Sequence, residues 1–172
     1  MKPQMFLGFV VAAMLVAAPQ AQGQTGSHTV HFNAASIQGA PTGDVALTGH
    51  GAYDPASGSV RLGGTFRVLA DVAQGPLGGA RAGDGVRWRA VELLASSGFK
   101  CSGDPGEPAK QVTSDDRTAV FLADFFRPGD GTTASFRVKV FVSADDQAPE
   151  IPGVQNVWIQ GVGCGEAFTS VR

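Results

Sequence analysis

Apolar and polar residues alternate along most of this sequence after its first two dozen positions. The clearest case is TASFRVKVFVS, residues 133–143, where every second position from Ala134 to Val142 is apolar and the positions between them, Phe141 excepted, are polar. Successive side chains of a β-strand point to opposite faces, so this period of two predicts a strand with one buried face. Comparable segments begin at residues 27, 44, 59, 85, 117 and 154, and FKC and EAFTSV are shorter ones.

Turn residues separate these segments. Asp54, Pro55 and Gly58 in YDPASGS favour a tight hairpin, as does RPGDGTT at residues 127–133. Two longer connections, 71–85 and 102–116, have the length of functional loops. A helix is an alternative for one segment only, WRAVELLASS, residues 88–97. The sequence predicts an all-β fold, an antiparallel β-sandwich (Ig-like or jelly-roll-like) of about seven to nine strands, with a barrel as the alternative.

The N-terminus has the layout of a secretory signal peptide. Lys2 precedes an apolar run from Met5 to Ala18, and Pro19 and small residues follow. This run is shorter than the roughly 20 residues that a membrane-spanning helix needs. We expect a signal peptide over residues 1–23, a single β-sandwich domain over 24–172, no transmembrane segment after cleavage, and a secreted product, extracellular or periplasmic. An uncleaved anchor is the alternative.

The two cysteines, Cys101 and Cys164, are predicted to form one disulfide, because secretion exposes them to an oxidising compartment. A bridge that closes so long a loop stabilises a fold by roughly 4 kcal/mol in the chain-entropy model. The alternative, a reactive redox pair, has no C-x-x-C motif to support it.

A resemblance accompanies the turn motifs. GHGAYDPASGSVRLGGTF, residues 49–66, is followed by GVRWRAVELL, residues 85–94. This succession of a glycine-rich strand, a D-P-x-x-G hairpin, a G-G-x-F strand and a tryptophan strand resembles small secreted bacterial β-sandwich proteins of uncharacterised function. The resemblance covers about a third of the chain; it implies secretion and a β fold, and it implies no activity.

Three glycines, at 161, 163 and 165, mark the last long segment, VWIQGVGCGEAF. They do not fit the G-x-G-x-x-G fingerprint that joins a strand to a helix in dinucleotide-binding folds. On one continuous strand they would share a face, which predicts close approach of another strand or a large side chain. The alternative is a ligand lying along this groove, with Trp88, Trp158, Gly161 and Gly163 as its binding residues.

Histidines are the first candidates for metal ligands. His28 and His31 are three residues apart on a predicted strand, so they point to opposite faces and do not share an ion. His50, in contrast, could meet one of them across a hairpin. No cofactor is expected.

Charges divide between strands and connections. The acidic residues gather in the connections, where Asp145, Asp146 and Glu150 are weak candidates for a calcium site. If the outward strand faces adjoin, the basic residues would form one basic surface, suited to an anionic partner or simply shielding the sheet. These basic residues are Arg61, Arg67, Arg87, Arg89, Arg117, Arg137 and Lys139.

These patterns favour a non-enzymatic interaction or envelope-associated module with a protein or glycan partner. The two long connections are its predicted contact surface. A carbohydrate- or other small-ligand-binding module is the first alternative and needs Trp88 or Trp158 exposed. A secreted hydrolase is the second; it needs Glu92, Asp124, Glu166 or a histidine to converge, and no hydrolase motif supports it. A net charge of −2 gives no general attraction to nucleic acid.

Overall fold

The computed structural model describes residues 26–172, so the predicted signal peptide, residues 1–23, lies outside the described residues. The described part contains strands and no helix, and none of it has the length and apolarity needed for a helix to cross a membrane. The predicted all-β, antiparallel class is confirmed. The strands are β1 His28–Gly39, β2 Asp44–Asp54, β3 Ser59–Ala70, β4 Arg87–Leu93, β5 Ser96–Phe99, β6 Lys110–Thr113, β7 Thr118–Phe126, β8 Phe136–Ser143, β9 Val157–Ile159, β10 Gly163–Gly165 and β11 Ala167–Val171.

Nine strands form one hydrogen-bonded sheet in the order β10-β9-β8-β7-β4-β3-β2-β1-β11. A bulge between Ala34 and Ile37 divides β1 into two parts. The first part pairs with β11, and Gln38 and Gly39 in the second part pair with β10. The strands therefore form a ring. Strands β5 and β6 make a separate two-stranded sheet.

The alternating apolar residues meet inside this ring. Trp88 is 2% exposed and stacks on Phe121 and Phe125, and the Phe32 ring packs against it at a tilt. The connection 71–85 belongs to the same core cluster because it buries Val72, Leu77 and Ala80. Three residues of that connection, which was predicted as a contact surface, thus belong to the core, while more than half of its residues are exposed.

A second apolar cluster lies on the other side of β8 and is covered by the β5–β6 sheet. Phe99 and Val112 from the small sheet pack there with Phe141 and Trp158. Phe141 breaks the alternation of β8 because the outward face is also buried at this point. Cys101 and Cys164 join the two parts of this cluster as a disulfide, with 4.7 Å between their Cα atoms, which confirms the predicted pairing.

Two local expectations are resolved differently. The segment WRAVELLASS is strand β4 and the start of β5, so the helical alternative is wrong. VWIQGVGCGEAF is not one continuous strand, because β9 and β10 pair as a tight antiparallel hairpin. The turn between them places Gly161 at φ +84° and leads into Gly163 at φ +125°, conformations that glycine adopts without strain.

Candidate binding face

Seven strands align their outward side chains in one row across the sheet. Register pairs connect neighbouring strands, and partners directly opposite each other point to the same side. We call this row and the outward side chains beside it the outer polar face. In order from β11 to β8 the row is Ser170, His31, His50, Gly63, Arg89, Asp124 and Arg137.

Phe168 stands at one end of the outer polar face. Its side chain is 84% exposed, about twice the exposure of any other large apolar residue in the described chain. Its register partner on β1 is Asn33, whose own partner on β2 is Thr48. Phe168 is the side wall of a shallow cavity of about 270 Å³, which is otherwise lined mainly by His31, Asn33, Thr48, His50 and Ser170.

The floor of this cavity is held from below by Trp88. The indole Nε1 donates a 2.8 Å hydrogen bond to the backbone carbonyl of Thr48. Gly49 lines the cavity and faces the rings of Trp88 and Phe32 on its inner side. Since both rings occupy the space where a side chain would be, the glycine lets the aromatic core support the cavity directly.

His31 and His50 are register partners on β1 and β2 and stack across the strands. Their ring centroids are 6.0 Å apart and their planes differ by 13°. Both side chains are exposed, and neither makes a hydrogen bond or ion pair with another residue in 26–172. The expectation that His50 meets one of the other histidines across a hairpin is therefore confirmed, with His31 as the partner.

The opposite end of the outer polar face is basic. Asp124 is 3% exposed and lies between Arg137, at 2.7 Å, and Arg89, at 3.4 Å. The hydrogen bond from Arg137 is the main reason why the pKa of the Asp124 carboxyl lies below its usual value, against the opposing effect of burial. Both arginine side chains nevertheless remain more than half exposed.

Further arginines extend this basic end. The Arg87 guanidinium lies 4.2 Å from the centroid of the Phe126 ring, which it covers from outside. Arg61 and Arg67 project outward from β3, are exposed, and form no ion pair within the described chain. The outward basic faces of β3 and β4 adjoin as predicted, whereas β8 is separated from β4 by β7, which contributes the acidic Asp124. Glu92, also exposed, is the acidic residue on β4.

The structure does not support the tryptophans as ligand-binding residues. Trp88 is 2% and Trp158 4% exposed, and the indole N–H of Trp158 donates to the carbonyl of Lys100 at 2.9 Å. The glycine groove is also filled by the chain itself. Gly161 lies against Gly75, and Gly163 lies against the backbone carbonyls of Gln38 and Cys101.

The calcium candidates do not converge either. Asp145 forms a bidentate ion pair with Arg117, Asp146 accepts backbone N–H groups, and Glu150 pairs with Lys110 at 3.0 Å. No group of three or more His, Cys, Asp or Glu side chains within residues 26–172 is placed to hold a metal ion. Each carboxylate is instead used by a local structural contact.

The carboxylates of the hydrolase alternative are likewise dispersed. Both oxygens of Asp124 are occupied by arginines. Asp124 and Glu166 line different cavities, the former beside Arg89 and the latter beside the disulfide. Asp124 and Glu166 therefore do not face a common space.

Phe168, Asn33 and Ser170 were not identified from the sequence. The sequence does contain one indication: in EAFTSV the large apolar Phe168 directly follows Ala167, so on a strand the two point to opposite faces, and Ala167 is buried. A single strand over VWIQGVGCGEAF would place Phe168 on the same face as Trp158 and Cys164, which are both buried. No protein-family model, curated protein or solved structure matches this chain.

Proposed function

We propose that this protein is a non-enzymatic binding module whose outer polar face binds an anionic polysaccharide. The observation that carries the proposal is the 84% exposure of Phe168 within a hydrogen-bonded strand, beside amide and hydroxyl side chains. An exposed aromatic ring on a sheet offers an apolar surface on which the C–H face of a sugar ring can stack.

Hydrogen-bonding groups surround that ring. The amide of Asn33 donates and accepts, as do the hydroxyls of Thr48 and Ser170, and these groups match the donors and acceptors that sugar hydroxyls present. Leaving a phenylalanine in water forgoes roughly 1.5–3 kcal/mol of burial free energy. Stacking of a ligand on Phe168 would recover part of it.

The charge of the face favours an anionic sugar over a neutral one. Six outward basic side chains accompany three acidic ones, Asp54, Glu92 and Asp124, and Asp124 is paired with two of the six, Arg89 and Arg137. The basic side chains are Arg61, Arg67, Arg87, Arg89, Arg137 and Lys139. Because neighbouring strands lie about 4.8 Å apart, the row from Ser170 to Arg137 is on the order of 29 Å long around the curved outside of the ring, which suits a chain-like ligand that follows this curve.

The proposal is tested by affinity electrophoresis and isothermal titration calorimetry with polygalacturonate, heparin and a neutral glucan, in the presence of EDTA. We expect at least one anionic polymer to bind, with an affinity that falls as salt is added. Phe168→Ala should weaken binding at least tenfold. Val154→Ala, which shortens an exposed apolar residue in a connection, is the matched control and should bind as the unmodified protein does.

Arginine variants separate stacking from charge. The double variant Arg61→Gln/Arg67→Gln should weaken binding and reduce its salt dependence, whereas Arg127→Gln, on the β7–β8 connection, should do neither. Equal binding of the neutral glucan would overturn the anionic part of the proposal. Absence of binding to every polymer at 1 mM sugar, or a Phe168→Ala protein that binds normally, would overturn it entirely.

A further inference from the structure

We infer that His31 and His50 form a binding site for a divalent transition-metal ion, with Cu²⁺ bound most tightly among Zn²⁺, Ni²⁺ and Cu²⁺. The two imidazoles are directly opposite each other on neighbouring antiparallel strands. Register therefore fixes their backbones on one side of the sheet, which is the arrangement that two ligands of a single ion require.

The separation of the two rings is close to that in a chelate. Metal–imidazole bonds of about 2.1 Å at a tetrahedral angle place two ring centroids roughly 5 Å apart. The observed separation is 6.0 Å with nearly parallel, stacked rings, so chelation requires a side-chain rotation that both closes the pair by about 1 Å and turns the rings until their in-plane nitrogen lone pairs converge. Neither ring makes a bond within the described chain that such a rotation would break.

The remaining coordination positions belong to solvent. No third His, Cys, Asp or Glu within residues 26–172 joins the two histidines. Ser170 follows His31 in the row on one side, and Gly63, which has no side chain, follows His50 on the other. A site with two imidazoles and open positions exchanges its ion readily, and imidazole donors favour Cu²⁺ over Zn²⁺ and Ni²⁺ in the usual order of affinities.

The test is calorimetric titration of the purified, untagged protein with each of the three ions, in the absence of polysaccharide. We expect one equivalent of Cu²⁺ to bind with micromolar affinity and Zn²⁺ to bind more weakly. His31→Gln and His50→Gln should each weaken Cu²⁺ binding at least tenfold. His28→Gln is the matched control: His28 packs on Tyr53 instead of the pair, so this variant should bind as the unmodified protein does.

A variant that adds a third metal ligand provides an independent test. Ser170→His places a third imidazole directly opposite His31, so Zn²⁺ affinity should rise at least tenfold. Electron paramagnetic resonance of the Cu²⁺ form should show nitrogen coupling that disappears in His31→Gln. Normal Cu²⁺ binding by His31→Gln or His50→Gln, or an equal loss in His28→Gln, would overturn the inference.

The metal site and the polysaccharide proposal can fail separately. The metal titrations contain no polymer, and the polymer titrations contain EDTA. The metal inference depends on the two histidines alone, whereas the polysaccharide proposal depends on Phe168 and the arginines. Loss of one activity with retention of the other therefore identifies which of the two is wrong.

Discussion

Gly49 lies directly against the indole of Trp88, and its missing side chain is what allows the ring to reach the carbonyl of Thr48. A Cβ at this position would overlap both the Trp88 ring and the Phe32 ring. The contact joins the centre of the aromatic core to the floor of the cavity between Phe168 and the histidines. A change at residue 49 thus acts on the core and on the candidate site together.

We expect Gly49→Ala to lower the free energy of unfolding by about 2–3 kcal/mol, because extra volume in a packed core forces side chains off their preferred rotamers. Urea denaturation followed by tryptophan fluorescence measures it. Gly131→Ala is the control, since nothing lies within 4 Å of a Cβ at residue 131. Equal stability of the two variants would show that the Trp88 contact tolerates a side chain.

The disulfide should be a major source of stability. Cys101 and Cys164 are 63 residues apart in sequence, and the chain-entropy model assigns a bridge of this span about 4 kcal/mol. Cys101→Ala/Cys164→Ala should lose that amount in a denaturation curve. Adding a reductant should destabilise the unmodified protein similarly and leave the double variant unchanged; a double variant as stable as the unmodified protein would contradict this prediction.

Glu107 should make the free energy of unfolding depend on pH in the acidic range. Burial alone would raise its pKa, but hydrogen bonds from Lys110, from the Ser102 hydroxyl and from the backbone N–H groups of Cys101 and Ser102 lower it to about 2. The unfolded chain has a pKa near 4.3 for this group. The carboxylate therefore stabilises the fold above about pH 4.3, and this contribution is lost as the pH falls towards 2.

The matching experiment compares the unmodified protein with Glu107→Gln across this range. At pH 7 the variant should be less stable by on the order of 2 kcal/mol, and the difference should vanish near pH 2. Glu166→Gln, at an exposed position without a bonding partner in the described chain, should show no such convergence. If the difference in unfolding free energy between Glu107→Gln and the unmodified protein does not change with pH, the hydrogen bonds to the Glu107 carboxylate do not lower its pKa.

Arg137 and Arg89 should contribute unequally to the lowering of the Asp124 pKa. Arg137 approaches the carboxylate to 2.7 Å and Arg89 to 3.4 Å. Arg137→Gln should therefore raise the Asp124 pKa more than Arg89→Gln does, as measured by ¹³C NMR titration of the carboxyl carbon. A larger rise in Arg89→Gln would reverse the assignment of the principal partner.

Much of the fold was predictable because a strand with one buried face has a local sequence pattern, the alternation of apolar and polar residues. The period-two segments identify β1, β2, β3, β4, β7 and β8, and Asp54, Pro55 and Gly58 identify the β2–β3 turn. The candidate site was predictable only in part. The outward arginines follow from alternation, whereas the exposure of Phe168 depends on where β10 ends and β11 begins.

The sequence by itself determined the all-β class, the position of most strands, the face to which most side chains of the long strands point, and the pairing of the two cysteines. Each of these follows from alternation over a few residues or from composition. Only the tertiary structure decided that β1 pairs with both β10 and β11, that Leu77 enters the core, and that His31 and not His28 stacks on His50. These outcomes depend on strand order and register, which arise from contacts between residues far apart in the chain and have no local signature.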